Sequence, residues 1–177
     1  MAQYSDRPVI FPLSNPTDKA ECTAEDAYRL TDGRVIFASG SPFDPITMGG
    51  KTFVPSQCNN MFIFPGLGLG VTICRASRIT DRMIHQTSIA LANSLTEEER
   101  ECGQIFPSVK RIRDVSRQVA VTTIVHAAEE NLIHEAFLEA MPSDLSVDNP
   151  KLHGYVSSRM YDPVYTPLVD QVYTGFR

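Results

Sequence analysis

The sequence predicts an α/β fold in which strand and helix alternate over the first third and helix alone follows. Three observations predict it. Two short apolar runs of strand length, at residues 9–13 and 35–38, flank a segment with helical spacing. Residues 57–70 then join two adjacent amides, Asn59 and Asn60, to an apolar run and three glycines at alternate positions. Beyond that stretch, apolar residues recur every three or four positions to about Leu132, as in helices that bury one face.

The 177 residues suffice for one domain or two small ones with a real core. Apolar residues make up 42% and charged residues 21%, the balance of a soluble globular chain rather than a disordered one. The formal net charge is −5 with no basic block, which argues against a nucleic-acid or anionic-membrane partner. No apolar run reaches transmembrane length, and the N-terminus carries no signal-peptide pattern. Cys22, Cys58, Cys74 and Cys102 stand far apart without a C-x-x-C pair, so they read as reduced, intracellular thiols rather than a zinc site. His85, His126, His134 and His153 lack metal-ligand spacing among themselves. No metal ligand is assigned on this chain.

Taken in order, Val9, Ile10, Phe11 and Leu13 predict a strand buried on both faces. Ser14 or Thr17 caps the expected helix, Asp18 and Glu21 suit its first turn, and Ala20, Ala24, Ala27 and Leu30 supply its inner face. Asp32-Gly33 stops it, and residues 35–38 give the second strand. Two parallel strands joined through a helix make a partial Rossmann-like unit, whose ligands lie beyond the carboxyl ends of the strands. Asn15 and the Ser39-Gly40-Ser41-Pro42 turn both sit at such ends. Met48-Gly49-Gly50-Lys51 reads as a hairpin turn.

Gly66, Gly68 and Gly70 have the spacing G-x-G-x-G, not the G-x-G-x-x-G of a dinucleotide cradle, and Pro65 suits the first position of a helix. They predict a helix that presses closely on another backbone. Asn59 and Asn60 offer donor and acceptor together, which suits a carboxylate, carboxamide or hydroxyl ligand but equally a turn cap. Further on, Thr80-Asp81 starts a helix with Ile84, Ser88, Leu91 and Leu95 inward. Thr96 and Glu99 form a capping-box pattern, residues 103–107 a break, and residues 109–132 the longest helix. Residues 134–140 continue it or make a separate piece. Residues 142–150 read as a linker, followed by a short helix near 151–160. Tyr161, Tyr165 and Tyr173 with Pro163 and Pro167 predict an extended aromatic tail, either laid on another surface or partly ordered.

Four of these stretches, in this order and spacing, resemble the C-terminal third of malic enzymes. They are Arg7-Pro8-Val9-Ile10-Phe11-Pro12-Leu13-Ser14-Asn15-Pro16-Thr17, Phe37-Ala38-Ser39-Gly40-Ser41-Pro42-Phe43-Asp44-Pro45, Gln57-Cys58-Asn59-Asn60-Met61-Phe62-Ile63-Phe64-Pro65-Gly66 and Ile112-Arg113-Asp114-Val115-Ser116. The resemblance implies oxidative decarboxylation of malate to pyruvate with NAD or NADP and Mg or Mn. It implies that Asn15 contacts substrate and the nicotinamide, that Asn59 or Asn60 contacts malate, and that Ser39 and Gly40 lie against the cofactor. The family's catalytic Tyr and Lys, its Glu-Asp-Asp metal ligands and its dinucleotide fingerprint have no counterpart here and are expected upstream.

The expectation is therefore a C-terminal piece of a malic enzyme that is not catalytically complete alone. Residues 1–58 would end the NAD(P)-binding domain, 59–141 complete the substrate domain, and 142–177 form a tail at a subunit contact. The first strand would present an unpaired edge and favour a homo-oligomer. The resemblance implies a cytoplasmic location, or an organellar one if a transit peptide stood upstream. Two alternatives remain: a non-catalytic oligomerisation or binding module from the same family, and a malolactic-type part. If the chain proved active alone, Asp44, Asp81 and Lys51 are the first candidates for base and metal ligand.

Overall fold

The computed structural model describes residues 1–165. Three short strands build a parallel sheet: β1 (Val9–Ile10), β2 (Ile36–Ser39) and β5 (Ser56–Gln57), in the order β1-β2-β5. Val9 pairs with Ile36 and Ile10 with Phe37, while Ala38 pairs with Ser56 and Ser39 with Gln57. β2 is thus the central strand, and it alone is nearly fully buried. Between β2 and β5 runs an antiparallel hairpin of β3 (Ile46–Met48) and β4 (Lys51–Phe53). Its turn places Gly49 and Gly50 at φ of +59° and +78°, the pair of left-handed residues that a two-residue hairpin of this twist requires.

β1 does not match the expectation of a strand buried on both faces. Val9, Phe11 and Leu13 are 48%, 40% and 48% exposed. Parallel strands read as continuous apolar runs when both faces are covered. Here β1 is the sheet edge, and its outer side has no neighbour among the described residues.

The first helix also starts later than its composition suggests. Residues Thr17–Lys19 make one 3-10 turn, and α1 runs over Ala24–Leu30. Thr23 is the cap, its hydroxyl accepting from the Asp26 amide at 3.0 Å. Glu21 cannot serve the first turn because its carboxylate accepts from the Ser14 hydroxyl at 2.8 Å and the Ser14 amide at 3.3 Å. Ala24, Ala27 and Tyr28 face inward against Val35 and Phe37, and Leu30 is exposed. Asp32 and Gly33, both at positive φ, end the helix as expected.

The remainder is helical: α2 (Phe64–Cys74), α3 (Asp81–Asn93), α4 (Glu97–Glu101), α5 (Ile112–Glu129), α6 (Glu135–Leu138) and α7 (Pro150–Ser157). α5 is the central post. Val119, Ala120, Ile124 and Ala127 are fully buried on it, and α2, α3 and α7 all pack against it. It begins at Ile112, after a separate 3-10 turn at Val109–Arg111.

α2 lies on α5 by virtue of two of its glycines. A Cβ on Gly66 would stand 2.6 Å from the Val119 Cβ, and one on Gly70 would stand 2.6 Å from the Thr123 Cβ. Gly68 faces away and would meet nothing. The packing expectation therefore holds for two of the three.

α3 buries Met83, Thr87 and Leu91 rather than the stripe through Ile84 and Ser88. Thr87 can be interior because its hydroxyl donates to the Ile84 carbonyl at 2.8 Å. The capping box of Thr96 and Glu99 is complete. α6 is a separate piece capped by His134, and α7 is capped by Asn149. Tyr161 and Tyr165 are exposed, while Pro167 and Tyr173 lie outside the described residues. Among the described residues no helix is long and apolar enough to cross a membrane.

Candidate functional site

The carboxyl ends of all three parallel strands meet around one backbone group, the carbonyl of Gly40. The order β1-β2-β5 brings residues 12–15, 39–41 and 57–59 to the same edge of the sheet, although 26 positions separate Asn15 from Ser41. Gln57 Nε2 donates to the Gly40 carbonyl at 3.2 Å, and Asn59 Nδ2 approaches it at 3.5 Å. The Gly40 amide donates to the Pro12 carbonyl at 3.0 Å, which ties the turn after β2 to the end of β1. A side chain at Gly40 would run into the Leu13 carbonyl and stand 3.0 Å from Asn15 Nδ2. Glycine here is a matter of space, since the backbone of one strand end rests on that of another.

Asn15 follows β1, and its peptide bond to Pro16 is cis. Its amide is held at both ends: Nδ2 donates to the Leu13 carbonyl at 3.3 Å, and Oδ1 accepts from the Ser41 hydroxyl. Asn15 itself is exposed, so the side chain is oriented yet reachable. Ser39 is buried, with its hydroxyl donating to the Ser41 carbonyl at 2.8 Å. It shapes the turn that presents Gly40 and Ser41. Sequence reasoning placed Ser39 and Gly40 in the site but gave Ser41 and Gln57 no role. Both lie at strand ends, but their bonds to Asn15 and to the Gly40 carbonyl follow from the strand register.

The amide pair divides its work. Asn59 caps the 3-10 turn Asn60–Phe62, its Oδ1 accepting from the Met61 amide at 3.0 Å. Asn60 is exposed, and its side chain makes no hydrogen bond among the described residues. Beside the pair opens a cavity of about 370 Å³ lined by Cys58, Asn59, Asn60, Ile63, Leu91 and Phe106. Burial pushes the Cys58 thiol up, so it stays protonated at neutral pH.

The cluster consists of amides, hydroxyls and backbone groups. Such groups bind, orient and match polarity, but they do not exchange protons near neutral pH. A carboxamide or carboxylate would find both donors and acceptors at this edge, in the position where open parallel sheets take nucleotide ligands. The residues therefore fit the nicotinamide end of a dinucleotide or a small acid. They do not fit a divalent metal: among the described residues no three His, Cys, Asp or Glu side chains group closely enough to hold one. Lys51 lies elsewhere, on β4, with its ammonium 5.2 Å from the centre of the Phe53 ring.

The family model for the NAD-binding domain of malic enzyme matches residues 1–128. The chain belongs to the malic enzyme family. It is 47% identical over 165 residues to an NADP-dependent malic enzyme of Dictyostelium discoideum, covering 93% of this chain but 28% of that protein. It is 47% identical to a chloroplastic NADP-dependent malic enzyme of rice, covering 24% of that protein, and 39% identical over 175 residues to the human NADP-dependent malic enzyme, covering 29%. The chain thus spans less than a third of the length of these relatives. Malic enzymes of plant, amoebal and animal origin share the matched region, which contains the whole strand-end cluster from Asn15 to Asn60.

Proposed function

We propose that this chain supplies one wall of a malic enzyme active site, the C-terminal portion of an enzyme that converts malate to pyruvate and CO2 with NADP or NAD and Mg or Mn. The convergence of Asn15, Gly40, Ser41 and Asn59 at the carboxyl edge of the parallel sheet carries this reading. Asn15, fixed at both ends by Leu13 and Ser41, presents a preset amide to the substrate and the nicotinamide ring. Gly40 lets the turn after β2 close onto the end of β1, and Ser39 holds that turn, so the two residues form the sheet edge that faces the cofactor. Asn60 is the malate contact of the amide pair, because Asn59 is spent on capping while Asn60 faces outward. The relatives' names point to NADP rather than NAD. The Mg or Mn ligands, and the groups that move protons, belong to the part of the parent protein that precedes this region.

The division of the chain at residues 58 and 141 stays a proposal, and the NAD-binding-domain match runs across the first of these boundaries to residue 128. The exposed edge of β1 supports association with further polypeptide.

The test is the appearance of reduced nicotinamide absorbance with malate, Mn and either dinucleotide. The 177-residue chain gives no signal, whereas a longer polypeptide carrying it is active and loses activity in Asn60→Ala and Asn15→Ala. Full activity of both variants in the longer polypeptide sinks the assignment. Turnover by the 177-residue chain itself sinks the claim that the chemistry lies elsewhere.

A further inference from the structure

A second polar site lies at the opposite, amino-terminal end of the same sheet. A cavity of about 300 Å³ opens there, lined among others by Arg7, Tyr28, Arg34, Lys51 and Phe53. Arg7 precedes β1, Arg34 precedes β2 and Lys51 begins β4, so three elements bring cations to one opening. Among the described residues of the lining, Asp6 is the one acidic side chain against three cationic ones.

The side chain that marks this as more than a charged surface is Tyr28. It is 3% exposed, with its ring stacked on Phe53 at 4.7 Å and tilted against Phe37 at 5.8 Å. Its hydroxyl bonds to no other side chain or backbone group among the described residues and keeps its solvent access where the residue lines the cavity, so it is an open donor at the cavity floor. Gly33, at φ +73°, rests against the Phe53 ring, so the aromatic floor is fixed by backbone contact.

The sheet separates this cavity from the Asn15–Gly40 cluster. Arg34 and Ser39 lie five residues apart along an extended strand, about 16 Å at the usual rise. A ligand here does not share atoms with one at the carboxyl edge.

The geometry points to a binding site for a small phosphate monoester, held by the guanidinium groups of Arg7 and Arg34, the ammonium of Lys51 and the hydroxyl of Tyr28. Guanidinium forks match phosphate oxygens two at a time, and the phenol adds a neutral donor from the floor. The apolar side of the cavity, from Phe53 and Val35, takes the carbon body. The opening has room for a phosphate on a short carbon chain, such as glycerol 3-phosphate. Arg34 already reaches the Asp6 carbonyl at 2.7 Å with one nitrogen, which steadies it and leaves the rest of the fork available.

Calorimetric titration of the 177-residue chain with glycerol 3-phosphate tests this, with inorganic phosphate and citrate titrated separately. Saturable binding of the ester at one site per chain is expected, with citrate weaker. Tyr28→Phe keeps the ring and removes the donor, and should weaken binding about tenfold. Arg7→Gln, an exposed change that leaves the fold in place by its melting curve, should weaken it at least as much. Absence of saturable heat overturns the site. So does binding unchanged in both Tyr28→Phe and Arg7→Gln, or displacement of the ester by NADP with Tyr28→Phe behaving as the parent chain. Citrate binding more tightly than the ester overturns the phosphate assignment.

Discussion

Gly68 and Gly70 stand two residues apart on α2 and should respond to alanine with opposite signs. Both occupy the interior of a helix, where replacing glycine by alanine is worth about 1 kcal/mol in backbone propensity. At Gly68 that gain is realised, because an added Cβ meets no atom within 4 Å. Gly68→Ala should therefore stabilise the chain by about 0.5–1 kcal/mol, or roughly 1–4 °C in Tm for a domain of this size. At Gly70 the same Cβ would stand 2.6 Å from the Thr123 Cβ and 2.7 Å from the Ala120 carbonyl oxygen, both on α5. Neither is the loose end of a flexible chain, so the two helices must part along their contact. Overpacking of this kind costs roughly 1–3 kcal/mol, which exceeds the propensity gain. Gly70→Ala should lower Tm while Gly68→Ala raises it. Urea or thermal unfolding followed by circular dichroism reads both. If the two substitutions shift stability in the same direction, the account of this glycine stretch as a helix-packing surface is wrong.

Glu99 is buried, which by itself would raise its carboxyl. Hydrogen bonds from the Ser108 and Thr96 amides and from Arg111 outweigh that and hold it below the usual carboxylate range. A lowered folded-state pKa contributes stability above the unfolded value that is lost as pH falls through the folded one. Glu99→Gln should thus cost about 1–3 kcal/mol at pH 7 and flatten the loss of stability on acidification below about pH 4.3, as read from unfolding curves across pH. Asn59→Ala removes a cap and should cost about 1 kcal/mol. Asn60→Ala should leave unfolding unchanged while abolishing most turnover in the longer polypeptide, so equal stability losses would contradict their division of labour. The β1 edge should drive self-association, visible as a concentration-dependent sedimentation coefficient that Val9→Lys reduces. A monomer at high concentration would refute this.

Features set by local chemistry were legible in the sequence. Gly49-Gly50 announces the hairpin, Thr96 with Glu99 announces a helix start, and Pro65 with its glycines announces a closely packed helix. Asn15, Ser39 and Gly40 could be placed at strand ends because parallel topology puts them there. What could not be read depended on partners distant in the chain. Ser14 draws Glu21 away from the helix it was expected to start, which hands the cap to Thr23. Val9 and Leu13 have the composition of buried residues but lie at an edge, since composition does not say how many neighbours a strand has. On α3, Met83 and Ile84 lie on adjacent rows, and only the packing against α5 selects Met83. The roles of Ser41 and Gln57 likewise depend on a register that no local pattern specifies.

One hydroxyl joins the two halves of the molecule. Ser56, buried in β5, accepts from the Ile105 amide at 2.8 Å and the Phe106 amide at 3.3 Å, in the break between α4 and α5. β5 leads directly into Gln57 and Asn59, while residues 105–106 lead to the central post. Mechanically, Ser56 is a rivet: the helical half cannot rotate against the sheet without tearing two amides from a single oxygen in a dry place. The amide wall therefore travels with the helices as one body, a coupling that the Val54 amide, donating to the Cys102 carbonyl at 3.4 Å, extends to the end of the hairpin.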